Sequence, residues 1–150
     1  MAGGNQRAAR LRELRERTRL APESREEAEC GRVYEAFRPL NREVLQLCTD
    51  WQVRPGGAPN DHGDAAYDWS VIDRLEALDE RAGPLLRRLA GVEPRFAPYR
   101  ERLRDARRRV LDGEPEWLTS PRVDSYHTVW MELHEELLAA LGLERDKEPE

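Results

Sequence analysis

The chain is 150 residues long, carries a net charge of −5 and is 37% charged against 39% hydrophobic. That length suits one compact domain, 1–150, and is short for two. No apolar run reaches membrane-spanning length, two cysteines are too few for a disulfide scaffold, and the acidic balance argues against a strongly basic nucleic-acid binder. The 24 Arg against one Lys, and 19 Leu against one Ile, are what a GC-rich coding bias produces. Arginine abundance is therefore weak evidence of phosphate binding. Residues 1–17 hold no apolar stretch of the signal-peptide kind, so the expected location is cytoplasmic.

Strand signals are nearly absent, and helical spacing dominates. Residues 5–20 predict a helix on a thin stripe of Ala8, Leu11 and Leu14, an arm (1–22) loosely attached to the rest. Ser24 and Glu27 then fit a capping box. Behind them Cys30, Val33, Phe37, Leu40, Val44, Leu47 and Trp51 recur at alternating steps of 3 and 4, the seam of a helix packed lengthwise. Tyr34, Leu45 and Cys48 widen its apolar arc. Pro39 interrupts it, but the stripe keeps its phase, which predicts a kink and not a break.

Residues 54–67 are rich in Pro, Gly, Asn and Asp and predict a long loop. A third helix is expected from about Asp68 on Val71 or Ile72, Leu75, Leu78, Ala82, Leu85 and Leu89. Gly83-Pro84 leaves open one bent helix or two coaxial pieces, and Gly91 is a candidate terminator. The fourth, opened by Pro94, runs on Phe96, Tyr99, Leu103, Ala106 and Val110 until Gly113. Trp117 and Leu118 are expected to plug the bundle end. Asp124 or Ser125 caps a last helix that Gly142 ends, and 143–150 is a charged tail, expected to be mobile. The expectation is an all-α fold: an antiparallel bundle of four main helices with an N-terminal helical arm.

Three features bear on chemistry. His127 and His134 fall inside the wide apolar arc of the last helix, about 10 Å apart along its axis. With His62 and Asp64 from the 61–64 loop they form a candidate ligand set: His62, His127 and His134 for a divalent transition metal, with Asp64 beside them. The plainer reading makes the histidines hydrogen-bonded boundary residues and the loop a solvated turn. The second feature is arginine. Segment 95–109 carries seven, with Arg100, Arg104 and Arg108 in one row and Arg95, Arg102 and Arg109 in another. Such rows can track a phosphate backbone, but no aromatic residue is interleaved for base stacking. The third is the long seam, which is filled within the chain or by a second copy in a homodimer.

No nucleophile elbow, P-loop, dinucleotide fingerprint, H-E-x-x-H or C-x-x-C occurs, so the balance leans away from an enzyme. The leading expectation is a protein-interaction or scaffold module acting through helical surfaces, on itself or on another protein. The alternative is a metal- or small-ligand-binding bundle, with hydrolytic chemistry at His127, His134 and the 61–64 loop. The third is an accessory nucleic-acid binder.

Overall fold

The computed structural model describes residues 19–144 together with Gln6, Ala8, Ala9, Arg12 and Glu13. Five α-helices follow: α1 (Arg25–Gln52), α2 (Ala65–Val92), α3 (Pro98–Leu111), the short α4 (Glu116–Thr119) and α5 (Tyr126–Leu141). A 3-10 turn, Pro94–Phe96, leads into α3. The described residues contain no strand, only an isolated bridge between Val53 and Pro59. Among them no helix is long and apolar enough to cross a membrane.

The four long helices close a ring in which α1 packs on α2, α2 on α3, α3 on α5 and α5 back on α1. Cross-helix pairs give each direction. Arg74 meets Asp50 and Arg81 meets Glu43, each at 2.8 Å, so residue numbers rise on α2 as they fall on α1. Tyr99 with Glu136 and Arg102 with Glu132 set α3 against α5 in the same sense. Asn41 with Trp130 and Phe37 with His134 do so for α1 and α5. The bundle is antiparallel throughout. The α1–α2 ion pairs are exposed, where such pairs contribute at most about 1 kcal/mol each. The core does the holding.

Every residue of the α1 seam is buried, from Cys30 to Trp51. The five apolar positions predicted for residues 96–110 are buried as well. The seams are filled within one chain, so they give no reason for a second copy. Both internal prolines sit in unbroken helices, Pro39 in α1 and Pro84 in α2. Each removes one backbone donor, and the apolar packing on both sides outweighs that loss.

Several expectations change. Leu45 is 42% exposed and does not widen the α1 arc. In α2 Leu86 is buried where Leu85 was expected, the stripe stepping by four from Ala82 and by three to Leu89, with Leu85 half-buried against the core. Gly91 does not end α2, which runs on to Val92 with Glu93 as its cap. The loop stops sooner than 67, since Asp64 caps α2 by accepting from the Tyr67 N–H at 3.1 Å. Ser24 accepts from Glu27 N–H at 3.1 Å, as a capping box requires, but the Glu27 carboxylate answers Glu23 N–H and not that of Ser24. Gly142, at φ 67°, closes α5: its N–H reaches Ala139 and that of Leu143 reaches Leu138. This is a Schellman ending. Leu143 thereby packs against the core. The remainder of the expected tail, 145–150, and most of the expected helix over 5–20 lie outside the described residues. Leu20 is buried, and its N–H donates to the Ala140 carbonyl at 2.9 Å.

Candidate anion-binding site

The histidines do not come together. His62 stands at φ 60°, its ring 4.6 Å from that of Trp51 and its Nδ1 2.9 Å from Asp68. His134 is buried and tilts against Phe37 at 5.4 Å. Trp51 and Phe37 are 14 residues apart on α1, or roughly 21 Å by helical rise. His127, two turns before His134 on α5, is half-buried, and burial lowers its pKa from the ordinary histidine value. Asp64 is engaged as the α2 cap and by Arg54 at 3.1 Å. Among the described residues no group of three or more His, Cys, Asp or Glu stands close enough to hold a metal. The donor set of His62, Asp64, His127 and His134 is therefore not assembled. The loop turned inward on Trp51 and α2, because Asn60 ties it to the Trp51 carbonyl at 2.8 Å and to Asp68 at 2.9 Å.

The arginine rows divide by partner. In the row of Arg95, Arg102 and Arg109 each guanidinium meets a carboxylate: Glu93 at 3.1 Å, Glu132 at 2.8 Å and Asp105 at 3.2 Å. Arg109 also lies over the Trp117 ring, 4.2 Å from its centroid. In the other row Arg108 pairs with Asp105. Arg100 and Arg104 have no carboxylate partner among the described residues.

Those two arginines line a hollow of about 190 Å³ between α2 and α3, with Arg87 and Arg107. Its existence follows from Gly83, a buried helical residue that offers no side chain to the gap. A Cβ there would stand 3.9 Å from the Arg100 guanidinium. Next to it Pro84 has no N–H for the Glu80 carbonyl one turn back. Asp79 forms one wall, and both of its oxygens are taken. The Tyr126 hydroxyl donates to one at 2.8 Å and Arg107 to the other at 2.8 Å. Glu80 is exposed at the rim and pairs with none of these arginines. Burial first, then the like charges of Arg87 and Arg104, push Arg100 below its ordinary pKa, with only Asp79 pulling the other way.

The sequence showed the Arg100–Arg104–Arg108 row but not this site. Arg87 comes from another helix, and although Asp105 pairs locally with Arg108 and Arg109, the pairing of Arg107 and Arg102 depends on Asp79 and Glu132, which are far away along the chain. The Gly83-Pro84 pair facing them was the available signal. Glu136 was also missed: it is 9% exposed and accepts from the Tyr99 hydroxyl. No family model, no curated protein and no solved structure matches this chain.

Proposed function

We propose that this chain is a helical-bundle binding module whose ligand is anionic and seats in the hollow between α2 and α3. One observation carries the reading: Arg100 is half-buried beside Arg87 and Arg104, and none of the three has a carboxylate partner among the described residues. Like charges gathered in a partly desolvated recess oppose one another, and an incoming anion relieves that cost. The acidic net charge sharpens the point, since 30 Asp and Glu were on hand to neutralise 25 basic residues.

This keeps the expected role of a module acting through its helical surfaces and gives its partner a chemistry. A cytoplasmic setting belongs to the same proposal, and two unbridged buried cysteines suit a reducing compartment. The test is thermal unfolding with sodium sulfate against sodium chloride at matched ionic strength. A ligand that binds only the folded state raises the melting temperature by mass action. Sulfate should raise it in the wild type and much less in Arg87→Gln and Arg104→Gln. Equal shifts in all three proteins would refute the reading.

A further inference from the structure

We propose that the hollow is a phosphomonoester site, in which Arg87, Arg100 and Arg104 hold one dianionic phosphate group while Asp79 keeps Arg107 at the wall. The proposal rests on the anion-binding reading above and narrows it. Charge is the first argument. Four guanidiniums and two carboxylates line the hollow, leaving a net charge of two positive. A phosphomonoester carries about −1.5 to −2 at neutral pH, whereas each phosphate of a nucleic-acid backbone carries one charge.

Extent is the second argument. About 190 Å³ admits a phosphate group with some water. A backbone-tracking surface needs a continuous stripe of free cations. Here the stripe is interrupted, because Arg102, Arg107, Arg108 and Arg109 are each held by a carboxylate. No aromatic side chain lines the hollow to stack a base. Geometry is the third argument. Arginine presents planar paired donors that match phosphate oxygens two at a time. Arg87 approaches from α2 while Arg100 and Arg104 approach from α3, so the oxygens are met from two sides. The hollow shares Arg100 and Arg104 with a broad shallow surface along α3 that includes Ala97 and Pro98. The body of the phosphorylated molecule would lie there.

The experiment is calorimetric titration of the full chain with O-phosphoserine, sodium sulfate and dimethyl phosphate at pH 5.5 and 7.5. The second phosphate proton leaves near pH 6. O-phosphoserine should therefore bind about fourfold more tightly at pH 7.5 than at pH 5.5. Sulfate is dianionic at both values and controls for protonation of the protein. Dimethyl phosphate, a monoanion, should bind at least about fivefold more weakly than O-phosphoserine at pH 7.5. Arg87→Gln and Arg104→Gln, both at exposed positions, should each weaken O-phosphoserine about tenfold. Arg81→Gln, which removes the same charge from the α1–α2 face, should change nothing. A phosphoserine peptide that binds more tightly than the free amino acid would mark a modified protein as the source, and equal affinity a small phosphorylated molecule. If dimethyl phosphate or duplex DNA matches O-phosphoserine, the monoester assignment falls while the anion reading stands. If none of these anions binds, both fall.

Discussion

The hydroxyl of Tyr126 donates to Asp79 at 2.8 Å, joining residues 47 apart in the chain at the wall of the arginine hollow. Tyr126 is fully buried, and burial, then the Asp79 charge, hold its pKa well above the ordinary tyrosine value. It is thus a permanent donor. Asp79, with Arg107 on its other oxygen, is a shared acceptor that ties α2 to both α3 and α5.

The two ends of that bond should respond differently to removal. Tyr126→Phe deletes a donor and leaves Asp79 with Arg107, at a cost of about 1 kcal/mol. Asp79→Ala strands a buried hydroxyl and frees Arg107 into the hollow, at roughly 2–3 kcal/mol. Urea unfolding of both variants measures this. Equal costs would mean that Asp79 is not the common acceptor.

His127 gives the bundle an acid-side weakness. Burial lowers its folded pKa below the ordinary value of 6.5, so the folded state binds the proton less readily than the unfolded one. The stability this contributes is present above pH 6.5 and is lost as pH falls through the folded value. His127→Gln should flatten the decline in unfolding free energy below pH 6.5, measured by denaturant titration between pH 5 and 8. An unchanged slope would sink the assignment.

Both thiols should be inert in the folded chain. Burial raises Cys48 to about 12 and, with Glu93 adding to it, Cys30 to about 11. The thiolate is the reactive form. A thiol-specific disulfide reagent at pH 8 should label neither residue without denaturant, and both once the bundle unfolds. Prompt labelling of the native protein would contradict the packing of α1.

Much of the architecture was legible because it is local. The α1 seam repeats at helical steps, Ser24 stands three residues before Glu27, and Gly142 ends a run that no other residue stops. What stayed hidden depends on partners far along the chain. Glu136 reads as one more charge on an acidic helix face, yet Tyr99 from α3 supplies its donor and draws it into the interior. Asp64 sits beside a histidine in a polar loop, which suggests a ligand. Its position just ahead of Ala65 makes it a helix cap instead. The hollow is the extreme case. Which arginines are free is decided by Asp79 on α2 and Glu132 on α5 as well as by Asp105 within α3, and spacing along α3 conveys only the last of these.

Two turn positions carry opposite instructions about side chains. Glu23 has φ 63° in the turn where Ser24 N–H reaches the Ala21 carbonyl, a conformation that suits glycine. Relieving it gains roughly 1–2 kcal/mol, and the freer unfolded chain takes back about half. Glu23→Gly should therefore stabilise the bundle by about 0.5–1 kcal/mol, with backbone donation to Glu27 unchanged. Gly142 shows the reverse, at φ 67° with the Arg19 guanidinium occupying the space of a Cβ. Gly142→Ala should cost roughly 1–2 kcal/mol for the left-handed backbone. Displacing the flexible end of Arg19 adds little to that. Thermal unfolding should move upward by about 1–4 °C for Glu23→Gly and downward by about 2–8 °C for Gly142→Ala. Shifts of the same sign would mean that one of the two backbones is not left-handed in solution.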